Sequence, residues 1–147
     1  MSVNLVLKSS DSISYASGKA SFVVKWAQFL TTEHQHYKLS FSFITEVDGN
    51  LNEDDLYVLS LDNIGTTLKN LRGGQSTSTT SREVGFIYSE EPHSSHARLR
   101  AEFSSNPPVD LVGRPNQDLL EISFKDITGT LMEKTPAFVL FIRFEAI

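Results

Sequence analysis

Phe138-Val139-Leu140-Phe141-Ile142-Arg143-Phe144 and, upstream, Leu119-Leu120-Glu121-Ile122-Ser123-Phe124 are the two stretches on which the fold turns. Aromatic and β-branched side chains dominate both, and such side chains fit a pleated, half-buried surface. The connection over 126–136 carries Gly129 and Pro136, residues of turns rather than of ladders. The last run is apolar at nearly every position. Its two sides are therefore expected to be covered alike, in a strand through the middle of a sheet buried on both faces.

Working outward, the cleanest period-two signal is Tyr37, Leu39, Phe41 and Phe43 alternating with His36, Lys38, Ser40 and Ser42, one face dry and the other wet. Val3, Leu5 and Leu7 mark a first strand, Phe22, Val24 and Trp26 a second, and Tyr57, Leu59 and Leu61 another. Val84, Phe86 and Tyr88 alternate as well, as do Leu99, Ala101 and Phe103. Ala27-Gln28-Phe29-Leu30 reads as a short helical turn or an irregular corner. Val47-Asp48-Gly49-Asn50 is a loop signal. Residues 64–81 form the longest weakly structured stretch, centred on Gly73, Gly74 and the Ser/Thr run after them. Asn106-Pro107-Pro108 breaks the ladder, since neither proline donates a backbone hydrogen bond, and Val109 to Val112 is a short edge piece before a Gly113-Arg114-Pro115 turn.

About eight short strands without an amphipathic helix predict an all-β protein: one antiparallel β-sandwich domain over residues 1–147. A jelly roll is favoured over an immunoglobulin-like sandwich, because the Cys…Trp…Cys signature is missing. A chain of 147 residues buries an adequate core without staples, and 39% hydrophobic with 21% charged residues is an ordinary globular balance. No cysteine means no disulfide and no thiolate metal site, which suits a reducing compartment. The net charge of −5 and the dispersal of 13 basic residues disfavour nucleic acid and acidic membranes as partners. No apolar stretch is long enough to span a bilayer, and the N-terminus lacks the pattern of a secretory signal.

Chemistry-bearing clusters are few. His34 and His36, two apart, would point the same way from a strand and chelate one metal, as cupin-type barrels do. The carboxylate such a site needs is missing downstream, and His93 and His96 sit in a polar loop, so exposed loop histidines are the favoured reading. No Gly-x-Ser-x-Gly elbow fixes a serine nucleophile, and Gly73-Gly74 precedes no phosphate-loop lysine. Asn52-Glu53-Asp54-Asp55 has oxygen ligands without EF-hand spacing and reads as a solvated acidic turn. Trp26, Phe29 and Tyr37 would make an aromatic platform for a sugar, but Trp26 and Tyr37 fit better as core residues beside Phe22 and Phe41. No cofactor and no catalytic set is expected.

Ser105-Asn106-Pro107-Pro108-Val109-Asp110-Leu111-Val112-Gly113-Arg114-Pro115-Asn116, followed by two closing strands, resembles a known family. It is similar to the C-terminal half of small single jelly-roll minor capsid or penton proteins of protist and algal double-stranded DNA viruses and virophage-like elements. The N-terminal half matches more loosely, through Trp26-x-x-Phe29-Leu30 and Tyr37 to Phe43. The resemblance implies a non-enzymatic structural component of a virion, made inside the host cell, which self-associates and contacts other capsid proteins. It places subunit contacts on the loops 64–81, 89–96 and 106–116, with Asn106, Gly73 and Gly74 among them. Arg114 would pair with Asp54 or Asp55, on its own or a neighbouring subunit. The alternatives are a non-catalytic carbohydrate- or protein-binding module and, using the histidines, a small metalloenzyme.

Overall fold

The alternation around Tyr37 to Phe43 becomes, in a computed structural model, a ten-residue strand over His36–Thr45 whose Leu39, Phe41 and Phe43 are buried. The structure describes residues 2–28, 30, 36–46, 56–64, 66–68, 71–72, 75–76, 79–89, 98–112, 115, 117–133 and 135–146, with backbone alone at 36, 66–68, 71–72, 75–76, 79–81 and 112. The strands in chain order are β1 (Ser2–Lys8), β2 (Ser14–Ala16), β3 (Lys19–Val23), β4 (His36–Thr45), β5 (Leu56–Leu61), β6 (Thr66–Leu68) and β7 (Leu71–Arg72). They continue as β8 (Gln75–Ser76), β9 (Thr79–Ser81), β10 (Glu83–Ser89), β11 (Leu99–Ala101), β12 (Val109–Val112), β13 (Leu119–Asp126) and β14 (Phe138–Ala146). Two 3₁₀ turns, Ser9–Asp11 and Trp26–Gln28, are the helical elements among the described residues.

Fourteen strands among the described residues thus stand where about eight were expected. Five of the extra ones, β2 and β6 to β9, have two or three residues each, too short to show a period, while β11 is the strand expected around Leu99 and Ala101, ended at three residues. Four of them lie within 64–81, where short Ser/Thr-rich segments pair in spite of their low hydrophobicity.

All pairings are antiparallel. One ladder runs β1-β14-β4-β12 and another β3-β13-β5-β10, with β2 outside β3, and β6 then β9 beyond β12. The three-residue β11 links the ladders, since Leu99 and Arg100 pair with β10 while Arg100 and Ala101 pair with β4. Twelve strands therefore belong to one sheet curled on itself, and β7 pairs β8 apart from it. Contrary to the expectation of an edge piece, β12 lies between β4 and β6.

Curling brings the inward rows together. The Phe138 ring sits 5.2, 5.4, 5.5 and 6.3 Å from the rings of Tyr15, Phe43, Phe124 and Phe22, so β14 and β4 meet β13 and β3 across the interior. Edge-to-face and offset contacts of this kind add to what burial alone contributes. Trp26 is buried at 1% exposure, edge-on to Phe144, and its indole N–H donates to the Leu119 carbonyl at 3.3 Å. The Tyr15 hydroxyl donates to the Pro136 carbonyl at 2.7 Å, and burial pushes its pKa up.

The expectation for Phe138 to Phe144 needs correction. β14 does run between two strands, but only Phe138, Leu140, Ile142 and Phe144 are buried. Phe141 is 37% exposed, because nothing among the described residues covers the outer face at that point.

Where backbone pairing ends, three side chains carry it further. Thr45 Oγ1 accepts the Leu99 N–H at 2.9 Å and lies 3.5 Å from the Leu99 carbonyl, continuing the β4–β11 ladder. Asn63 donates to the Leu119 carbonyl at 2.6 Å and accepts the Glu121 N–H at 2.9 Å, continuing β5 along β13. Asn106 treats Phe86 the same way, accepting its N–H at 2.9 Å and donating to its carbonyl at 3.0 Å. Each amide or hydroxyl imitates one rung of a strand.

Candidate assembly surfaces

Two outward faces of the curled sheet carry apolar side chains. On the first, Val6 of β1 stands opposite Phe141 of β14, at 48% and 37% exposure. The next row aligns Val139 with Ile44, both half-buried. Arg143 borders the patch, its guanidinium 4.1 Å from the centre of the Phe103 ring. Phe103 had been expected to continue the inward row of Leu99 and Ala101. Instead β11 stops at Ala101, the chain turns through a Ser105 N–H to Glu102 carbonyl bond of 2.9 Å, and Phe103 comes to lie against Arg143. By strand alternation Lys8, Lys38, Arg98, Arg100 and Arg143 stand against Glu46, Glu102, Asp110 and Glu145 on this side, leaving it net positive by one charge on a chain that is net negative.

The second face is a groove of about 790 Å³ over β13, β5 and β10. Its floor is a cross-strand row in register, Phe86 beside Val58 beside Lys125, and the next row pairs Tyr88 with Leu56. Phe86 is 49% exposed, and Ile127 at the tip of the β13–β14 connection is 69% exposed. The sequence misleads here in an instructive way. Val84, Phe86 and Tyr88 look like one face, yet Val84 is buried while Phe86 and Tyr88 point outward. A register shift between Glu83 and Gly85 inserts a bulge that turns the strand over. Gly85 is needed at that position, since a Cβ there would stand 2.6 Å from Asn106 Cγ and 2.7 Å from the Phe41 ring.

Charge lines the groove's walls: Asp62, Glu83 and Asp126 against Arg82 and Lys125, a net negative set. Asp126 holds the tip of its turn, accepting from the Thr128 hydroxyl at 2.6 Å and from the Thr128 and Thr130 amides at 2.9 and 3.0 Å. The Thr128 hydroxyl, and after it the Thr130 amide, holds this carboxyl below its ordinary pKa. Asp62 accepts from the Ser123 hydroxyl at 2.9 Å. Exposed apolar side chains rimmed by charge are what a surface presents to another macromolecule.

Of the residues singled out from sequence, Asn106 is described, and its amide is committed to Phe86 rather than held out from the turn. Arg114, Asp54, Asp55, Gly73, Gly74 and His34 lie outside the described residues, as do Phe29, His93 and His96. His36 opens β4 opposite Val112, with its side chain outside the description. Trp26 and Tyr37 are core residues at 1% and 4% exposure, so neither belongs to an exposed sugar platform. Among the described residues no group of three or more His, Asp or Glu is placed to hold a metal ion, and no helix is long and apolar enough to cross a membrane.

No protein-family model and no curated protein sequence matches the chain. Solved structures do. The chain is similar to the mavirus penton protein, with 18% identity and a TM-score of 0.42 over 64% of this chain and 34% of that one. It is similar to a Nora virus structure, with 13% identity and a TM-score of 0.30 over 99% of this chain and 55% of that one. Turnip yellow mosaic virus matches with 10% identity and a TM-score of 0.31 over 100% of this chain and 82% of that one. The chain thus spans about a third of the first of these and about half of the second. All three are virus proteins, alike to this chain only in broad outline.

Proposed function

We propose that this chain is a structural subunit of a viral capsid, a single jelly-roll domain over residues 1–147 of the minor-capsid or penton kind, which works by associating with copies of itself and with other shell proteins. Strand order supports the jelly-roll reading. The eight strands of four to ten residues fall into β1-β14-β4-β12 and β3-β13-β5-β10, the arrangement that two interlocked Greek keys produce. The observation that carries the assembly reading is the pair of exposed apolar patches on opposite outer faces, Val6 with Phe141 and Phe86 with Ile127. A fold alone supports many functions; surfaces of this kind favour association. Arg114, the acidic pair Asp54 and Asp55, and Gly73 and Gly74 remain part of the proposal as further subunit contacts. The net charge of −5 favours a shell role over genome binding, and the virion is the location this role requires.

A second reading has its own observation. The groove, with Phe86 and Ile127 exposed beside its charged groups, is also suited to a glycan or an extended peptide. Sedimentation of the purified chain over a wide concentration range parts the two. A stable oligomer beyond the dimer is the expected result. A chain that stays monomeric at its solubility limit, and whose Tyr or Trp fluorescence responds to a glycan, overturns the assembly reading in favour of the second.

A further inference from the structure

We propose that the two outer faces are complementary halves of one head-to-tail contact, in which the Val6–Phe141 face of one copy seats in the Phe86–Ile127 groove of the next. The inference rests on the assembly reading and adds which surfaces meet, and in what symmetry. Three observations carry it. First, the patches lie on opposite sides of the same curled sheet, because the inward rows of the two ladders pack against each other through Phe43, Phe124 and Phe138. Second, the two are matched in shape class: one is a flat pair of neighbouring strands, whereas the other is a groove of about 790 Å³ with an exposed Ile127 on its wall. Third, their charges are opposite. The groove has three carboxylates against two cations, and the flat face has five cations against four carboxylates, with Lys8, Arg100 and Arg143 nearest the apolar pair.

Opposite charge sets the choice of partner surface. A flat face meeting another flat face would bring Lys8 and Arg143 of both copies together, and groove against groove would crowd Asp62, Glu83 and Asp126. Like charges facing each other across a contact disfavour such pairings, while opposite ones steer encounter and fix register. A contact between two different patches is heterologous, and repeating it closes a ring when the rotation per copy divides a full turn. Dimers built on a two-fold axis are therefore not the expected product.

The test uses two variants of the full chain, Val6→Lys on the flat face and Ile127→Lys on the groove wall. Both side chains are at least 48% exposed and leave the core untouched; Phe141→Lys and Phe86→Lys serve as second variants, with thermal melts confirming the fold of each. Each variant alone should associate about a hundredfold more weakly than the parent, since each has one spoiled face and an unpaired charge in the contact. An equimolar mixture of Val6→Lys and Ile127→Lys should regain one contact per pair and run as a heterodimer that grows no further. Native mass spectrometry reads this directly, because the two variants differ in mass. A Val6→Lys or Ile127→Lys variant that still forms dimers alone would point to a two-fold contact and overturn the head-to-tail inference. An oligomeric parent indifferent to all four substitutions overturns it too, while leaving the assembly reading intact. A parent monomeric at every concentration removes both.

Discussion

Thr45→Val exchanges a hydroxyl for a methyl at a position only 3% exposed, and simple hydrophobicity predicts a gain. One more buried methyl contributes about 0.8 kcal/mol. Against it stands the Leu99 N–H, which donates to Thr45 Oγ1 at 2.9 Å from a residue of 0% exposure. Without that acceptor the amide is a buried donor with no water in reach, at a cost of about 1–3 kcal/mol. The second contact, Thr45 Oγ1 to the Leu99 carbonyl, is long at 3.5 Å and adds little. The orphaned donor therefore outweighs the methyl, and a net loss of about 1 kcal/mol is expected from the two magnitudes. With a urea slope of about 2 kcal/mol/M for a domain of this size, the midpoint falls by about 0.5 M. Equilibrium urea unfolding at one fixed protein concentration measures it, with Thr45→Ser as the control that keeps the acceptor and gives up the methyl. Amide exchange at Leu99 supplies the second readout, faster in Thr45→Val and unchanged in Thr45→Ser. A Thr45→Val protein as stable as the parent, with Leu99 still protected, would refute the reasoning.

Phe138→Ala removes the ring around which Tyr15, Phe22, Phe43 and Phe124 gather and should cost about 3–5 kcal/mol in the same unfolding experiment. Gly85→Ala places a Cβ against Asn106 and Phe41 and should destabilise by about 1–3 kcal/mol; an unshifted midpoint would mean that neither side chain crowds Gly85. Asn106→Ala takes both rungs from the Phe86 backbone, but at an exposed position where water replaces part of them, so a loss of about 1–2 kcal/mol is expected. For Asp126→Ala the prediction lies in the pH dependence. The folded protein holds this carboxyl below its ordinary pKa, so its contribution is present above the unfolded carboxylate range and fades as pH falls through the folded value. Melting temperatures of parent and variant should differ most at neutral pH and converge in acid; a gap that stays constant counts against the Thr128 hydroxyl and Thr130 amide as its cause.

The strands that fill the core were legible wherever apolar residues recur every second position. Tyr37, Leu39, Phe41 and Phe43 on β4 and Leu120, Ile122 and Phe124 on β13 face inward as their spacing demands, and Trp26 joins them in the core. What alternation cannot show is the second side of a strand. Val139 and Phe141 read as buried because they are apolar, although burial depends on whether another layer arrives to cover them, and none does among the described residues. The strand through Val84, Phe86 and Tyr88 was legible but its facing was not: one extra residue between Glu83 and Gly85 reverses every later side chain, and an isolated glycine in a strand is a local sign of it. Asn63 gave no signal at all and Asn106 read only as the start of a turn and a subunit contact, since an asparagine amide reaches a neighbouring backbone only after tertiary structure has brought it there. Both faces of the candidate site were missed on these grounds, because sequence reasoning looked for contacts in loops.

The junction through β11 has a consequence for how many copies a ring would hold. Copies joined through opposite faces enclose a closed ring only if those faces are inclined to each other like the sides of a wedge. In this molecule the inclination is set at the corner where Leu99, Arg100 and Ala101 pass from β10 to β4. Thr45 pins one side of that corner and Asn106 the other, and neither residue is part of either patch. Substitutions there would alter the wedge angle while leaving both contact surfaces chemically intact. The number of subunits in an assembly would then be tuned by two side-chain joints at the bend, a buried one at Thr45 and a solvent-accessible one at Asn106.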